Sequence, residues 1–178
     1  MAAADAVHWV MLGGIVGSGL LSGLYFIFSI CVMPALNKQH PANAIQTMND
    51  INVAIINAPF LLVFMGTPLA CAYVLFRCVK EGVRSSPDHT LAAAGALLLL
   101  VGEFLLTAVV HVPKNDALAA YSTGSGNDAS VWADYCTSWT SWNHVRMLAS
   151  IATTFLLASA LSLRGARLSA GAGPAPMH

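Results

Sequence analysis

The stretch LAAAGALLLLVGEFLLTAVVHV, residues 91–112, decides the fold. At 1.5 Å per residue it is long enough to cross the ~30 Å hydrocarbon core of a bilayer. Its only formally charged residue is Glu103, near the middle. A carboxylate at the centre of a membrane helix costs at least ~2.5 kcal/mol, so such residues face the inside of a bundle. The stretch therefore reads as a membrane helix carrying part of a polar site. The alternative is a structural ion pair, or a protonated and hydrogen-bonded carboxyl, that only joins helices.

Composition agrees. Of 178 residues 57% are hydrophobic and 9% charged, against about 25% charged in soluble domains, and mean hydropathy is +0.68. Eight acidic residues balance eight basic ones, which leaves no basic face for nucleic acid. Cys31, Cys71, Cys78 and Cys136 show neither CxxC nor zinc-finger spacing. Cys71 and Cys78 read as small apolar packers, and a disulfide between Cys31 and Cys136 is conceivable.

Four segments have spanning length, about 7–33, 53–79, 91–112 and 142–163, with a helical lead-in to the second from near Pro41 left open. They predict an all-α, antiparallel four-helix bundle in the membrane over residues 1–168, and a disordered tail over 169–178. The first segment is too long, and lacks the basic flank, for a cleaved signal peptide. Gly13 and Gly17, then Gly19 and Gly23, form two small-xxx-small pairs that let a neighbouring helix come close. Arg77, Lys80 and Arg84 share one side with Arg164 and Arg167, whereas the other two connections carry only Lys38 and Lys114 among acids. The excess of basic residues predicts that both termini are cytoplasmic.

Helical periodicity gathers the polar residues. Ser18, Ser22, Tyr25 and Ser29 share one face of the first segment. Glu103, Thr107 and His111 share one face of the third, and Trp139, Trp142, Asn143 and Arg146 open the fourth. Asn49, Asn52 and Asn57 lead into the second with a less regular spacing. Polar stripes are disfavoured against lipid, so these should meet inside the outward half of the bundle. Taken singly, each has a plainer reading: serines bond their own i−4 carbonyl, and the tryptophans with Tyr135 suit an interfacial aromatic belt. If Arg146 reaches Glu103, the carboxylate stays ionised in a fixed pair. If it does not, desolvation favours the protonated acid, which can exchange a proton. His111 and His144 are the candidates for acid–base, redox or metal chemistry. His111 and Glu103, ~12 Å apart along one helix, cannot bind a single ion. A metal held by both histidines and a loop ligand stays open, and no cofactor motif is present.

Several stretches also resemble the anthrone oxygenase family of small four-span membrane proteins. They are GLYFIFSICVMPAL (23–36), MNDIN (48–52), NAPF (57–60), HVPKNDAL (111–118) and WTSWNHVR (139–146). The resemblance covers roughly residues 13–163, and its most specific part is the HVPxN and WNHxR pair. It implies a site drawn from Asn52, Glu103, His111, Asn115, Trp142, Asn143, His144 and Arg146. The chemistry implied is oxidation of a lipophilic aromatic, an anthrone or quinol, by dioxygen. His111 or His144 would remove a ring C–H proton. Arg146, Asn115 and Asn143 would hold the oxyanion, and Trp139 and Trp142 would stack on the rings, beside Tyr25. The implied partners are the bilayer and a small aromatic substrate, with an oligomer possible. The competing expectation is a non-enzymatic assembly partner or transporter component. Gly66–Pro68 is the only candidate for the helix break a transporter favours.

Overall fold

The computed structural model describes residues 2–171, with side chains over 6–170. Every regular element among them is helical. Helix α1 (Ala2–Ile27) runs on through a π-helical turn, Phe28–Val32, into α2 (Met33–Leu36). After α3 (Pro41–Ala54) comes α4 (Ala58–Glu81), then α5 (Pro87–Leu99). Two π-helical segments, Leu100–Leu105 and Thr107–His111, carry α5 into α6 (Val112–Ala120). One long helix, α7 (Asp128–Gly171), completes the chain. The first residues of the proposed tail, 169–171, continue α7, and the rest of it lies outside the described residues.

Four helical stretches are long and apolar enough to cross a membrane: Ala6–Leu36, Ala58–Glu81, Pro87–Ala120 and Asp128–Ala170. Large apolar side chains stand exposed around them, Leu20, Leu62, Leu69, Phe76, Leu148 and Phe155 among others. Lipid, not water, is the solvent that suits such a surface. The chain is an integral, multi-pass membrane protein. The helices form a ring in which α1 and α5 each pack on both α4 and α7, so α1 and α5 lie diagonally opposite.

Helix ends differ from those read off the sequence: the first and third spans run on to Leu36 and Ala120, past residues 33 and 112. The second span begins at Ala58, not residue 53, because Asn57 ends one helix and caps the next by accepting the Phe60 N–H at 3.1 Å. The amphipathic α3 is separate, burying Ala44, Ile45 and Met48 and turning Gln46 and Asp50 outward. The fourth span is part of a helix about 66 Å long at 1.5 Å per residue, roughly twice the hydrocarbon core. The connection between the third and fourth segments, 113–141, is therefore mostly helix. With α2, α3 and α6, the head of α7 builds a cap around Met33, Leu36, Ile45, Met48, Leu118 and Trp132. Asp128 anchors that head by accepting bonds from the Tyr121 hydroxyl at 2.8 Å and the Gly124 N–H at 3.0 Å.

At the other end the bundle is dense. Val7, Met11, Cys71, Val74, Ala96, Leu99, Leu157 and Ala160 form its core. A Cβ on Gly17 would stand 2.0 Å from Thr67 Oγ1, and one on Gly95 would stand 3.0 Å from Leu156 Cβ. Of the four glycines singled out in α1, only Gly17 makes such a contact; Gly13, Gly19 and Gly23 meet nothing within 4 Å. Helix α4 passes through Pro68 without a break. Arg167 pairs with Asp88 at 2.8 Å, and Arg77 with Glu81, at this basic end. All four cysteines are free thiols, Cys31 and Cys136 included.

Candidate functional site

Between the dense end and the cap lies a layer of buried polar side chains, each delivered by a helix whose spacing points it inward. Glu103, Thr107 and His111 are all buried. Their four-residue steps would drift around an α-helix, since 3.6 residues complete a turn. Here all three fall in π-helical turns, which advance less per residue and keep the side chains nearly in line. Such turns are rare and concentrate at functional sites. The Thr107 hydroxyl donates to the Glu103 carbonyl at 2.7 Å.

Glu103 and Arg146 do not form an ion pair; among the described residues no such contact joins them. Tyr25 stands between them. Its hydroxyl donates to Glu103 Oε1, across the diagonal of the bundle, while the Arg146 guanidinium lies over its ring, 4.4 Å from the centroid. Arg146 is also 5.4 Å from the Trp139 ring centroid. It donates from Nη1 to Thr107 Oγ1 at 3.2 Å and from Nη2 to Asn143 Oδ1 at 2.8 Å. Asn143 in turn donates to the Tyr25 carbonyl and to Ser29 Oγ, both at 2.8 Å. The guanidinium is thus fixed on three sides, yet its Nε has no partner.

Above this layer is a cavity of about 250 Å³. Tyr25, Thr107, His111, Asn115, Trp139 and Arg146 line its inner side. The rest of the wall is apolar: Leu24 and Phe28 from the first span, Ile51, Ile55 and Ile56 from α3 and the turn after it, and Phe60, Leu61 and Phe64 from α4. Asn52 closes the top. Ile56, Leu61 and Val112 on its lining are exposed and form an apolar mouth. His111 is 1% exposed and its ring meets Trp139 edge-on at 5.2 Å; neither Nδ1 nor Nε2 makes a hydrogen bond of good geometry, although the Trp139 and Leu106 backbones lie beside the ring. Burying an amphoteric ring with poorly formed hydrogen bonds is costly, and His111 is also part of the cavity wall.

Six of the sequence-derived candidates meet in this cavity: Tyr25, Asn52, His111, Asn115, Trp139 and Arg146. Glu103 sits behind Tyr25 and Asn143 behind Arg146, positioning the wall without lining it. His144 and Trp142 do not join it. At about 100° per residue, Trp139, Asn143 and Arg146 share a face, and His144 is turned about 140° from Trp139. Both His144 and Trp142 are exposed. The two histidines therefore supply no common metal site, and no three His, Cys, Asp or Glu side chains cluster among the described residues. Tyr135, expected in an interfacial belt, is buried and donates to Asn115 Oδ1 at 2.9 Å. The α4 wall escaped the sequence reading, although Phe60 and Phe64 stand at helical i, i+4 spacing and stack at 5.3 Å.

No curated protein and no solved structure matches the chain. A family model described as anthrone oxygenase matches residues 60–156. That stretch contains Phe60, Glu103, Thr107, His111, Asn115, Trp139 and Arg146, and stops short of Tyr25 and Asn52. As the match spans more than half of its length, the chain belongs to the anthrone oxygenase family.

Proposed function

We propose that this protein is a membrane oxygenase that converts the acidic ring methylene of a flat, lipophilic ketone, such as an anthrone, into a second ketone. The observation that carries the reading is His111, a buried imidazole without a well-formed hydrogen bond in the wall of an apolar cavity. Beside it Arg146, whose Nε lacks a partner, lines the same cavity. The cavity, just below the ~300–1,000 Å³ usual for ligand sites, suits a small fused-ring molecule.

The chemistry follows from those groups. Neutral imidazole holds one lone pair and one N–H. The lone pair removes a methylene proton, and the electron pair left behind delocalises onto the ring carbonyl oxygen. Arg146 stabilises that oxygen with a fixed positive charge and a donor that needs no reorganisation. Dioxygen accepts electrons from the anion and forms a C–O bond, and the peroxide takes the proton from His111. Loss of the second methylene hydrogen as a proton, with cleavage of the O–O bond, leaves the new ketone and one water. One dioxygen is consumed per ring. Phe28 and Trp139 offer faces for the rings, and the apolar mouth supports delivery from lipid. The excess of basic residues at the Arg77–Arg167 end supports placing both termini in the cytoplasm.

Oxygen uptake by the detergent-purified protein with an anthrone tests the reading, measured above the uncatalysed rate. A general base contributes about 10²–10⁴-fold, so His111→Ala should lose at least 100-fold, whereas His144→Ala should retain activity. Full activity in His111→Ala would rule out its role as base. Turnover abolished by a chelator would make the histidine a metal ligand instead.

A further inference from the structure

Arg146 carries a positive charge into the bundle without a negative partner in contact. It is 5% exposed, and among the described residues no carboxylate makes an ion pair with it. Its two hydrogen-bond acceptors, Thr107 Oγ1 and Asn143 Oδ1, are uncharged. So are the Tyr25 and Trp139 rings beside it. Glu103, the acid of this layer, is held off by the Tyr25 hydroxyl, which donates to it. A guanidinium has five N–H donors, and Arg146 uses two of them. Burying a charge is costly unless it is paired. Here spare donors and an unpaired charge belong to a residue in the wall of a cavity of about 250 Å³, and no acidic residue lines that cavity.

These features define a guest. A neutral molecule would use the donors and leave the charge unmatched, so the guest is an anion. One negative charge suffices, because Arg146 is the only Lys, Arg, Asp or Glu on the lining. Most of the remaining wall is apolar, Leu24, Phe28, Ile51, Ile55, Phe60 and Phe64 included, so an entering ion gives up its water. That cost is large for a compact or divalent ion and smaller for a large monovalent one. We infer that the cavity binds a small, weakly hydrated monovalent anion at Arg146. Iodide and thiocyanate fit best, chloride less well, and sulfate is excluded. The consequence for catalysis rests on the oxygenase reading: the ion takes the place of the substrate oxyanion, so the two compete. The binding itself does not depend on that reading.

The test reads iodide binding by quenching of tryptophan fluorescence in the full-length, detergent-purified protein at constant ionic strength. The Trp139 ring centroid is 5.4 Å from the Arg146 guanidinium, so bound iodide should quench it along a saturating curve. Exposed Trp9 and Trp142 should add only a component linear in iodide. Thiocyanate should displace the saturating component about tenfold more effectively than chloride, since its desolvation costs less, and sulfate should not displace it. Arg146→Met should lose that component and Arg146→Lys should keep it. A purely linear response in the wild-type protein, or displacement by sulfate, would overturn the site, and neither result needs a variant. A saturating component that persists in folded Arg146→Met would place binding elsewhere and overturn it too. With an anthrone as substrate, thiocyanate should raise KM and leave kcat unchanged; an unchanged KM at saturating thiocyanate would overturn the competition. Oxygen uptake beside purely linear quenching would keep the oxygenase and remove the anion site. Saturable quenching without oxygen uptake would do the reverse.

Discussion

The two ends of this bundle are built by opposite means from the same helices. Toward the basic end, glycine and alanine let the backbones close up, and hydroxyls reach across to a neighbour's backbone or hydroxyl. Thr153 donates to the Gly95 carbonyl at 3.0 Å, and Ser18 meets Thr154 at 2.8 Å. Toward the cap, Phe28, Trp132, Tyr135 and Trp139 hold the helices apart, and most polar contacts run from side chain to side chain. The first arrangement fills its interior. The second leaves a cavity and polar atoms to face it. Residue size at the helix crossings, more than helix pattern, separates a solid bundle from a hollow one.

The sharpest way to break the comparison is at the hollow end. Arg146→Met keeps much of the length but removes the charge and its donors. Under the proposed chemistry it should lower kcat by about 10²–10³-fold, the cost of losing one oxyanion donor. Stability should suffer too, since Asn143 Oδ1 loses its donor in a buried site. Near-normal kcat in a folded Arg146→Met protein would remove the guanidinium from the chemistry.

At the solid end the largest effect should come from one methyl group. A Cβ on Gly17 would lie 2.0 Å from Thr67 Oγ1 and 3.1 Å from both Thr67 Cβ and Cγ2. Thr67 is not free to turn away, because its hydroxyl donates to the Val63 carbonyl at 2.7 Å. Gly17→Ala should cost roughly 1–3 kcal/mol, typical of overpacking, read as a lower midpoint in thermal unfolding. An unchanged midpoint would mean that α1 and α4 are held less tightly than this contact requires.

How legible each end was from sequence follows the same division. Apolar length located all four spans, because the bilayer sets that length. It misplaced the start of the second, where Ile55 and Ile56 carry hydropathy across a chain break. The break was marked by Asn57 and Pro59, a cap residue and a first-turn proline. It also missed that α7 begins at Asp128, since hydropathy does not register a polar helix beyond the membrane. In the site, period alone brought Glu103, Thr107 and His111 together, and likewise Trp139, Asn143 and Arg146. His144 was drawn in by sequence proximity, although helical rotation sends it outward. Asn49 and Asn52 looked irregular only because α3 was read as the lead-in to α4; on their own helix they share a face. The Tyr25–Glu103 bond could not be read from any local pattern, because it joins diagonal helices.

Tyr25 also links the two ends, and its hydroxyl gives a smaller, separable effect. Tyr25→Phe keeps the ring under Arg146 but takes the donor from Glu103 Oε1, whose Oε2 already lacks a partner. A buried acceptor left without its bond costs about 1–3 kcal/mol. The midpoint of thermal unfolding should fall, and Glu103→Leu in the same protein should recover part of the loss, because no buried acceptor is then left without its bond. No recovery in the double variant would mean that the lost hydrogen bond to Glu103 does not set the cost.

The smallest expected effect is at Gly13, four residues before Gly17, where an added Cβ would meet nothing within 4 Å. Gly13→Ala should move the unfolding midpoint by no more than the ~0.5 kcal/mol typical of surface positions. The contrast with Gly17→Ala isolates one variable, the presence of Thr67 across the gap, since both changes add the same methyl to the same helix. A loss at Gly13 as large as at Gly17 would place a neighbour on that lipid-facing side. Only a second copy of the chain or another membrane helix could supply that neighbour, and a matching change in oligomeric state by light scattering would identify a second copy. An unchanged midpoint and an unchanged oligomeric state would confine close packing to the interior of one bundle, and leave the Gly13, Gly19 and Gly23 surface as plain contact with lipid.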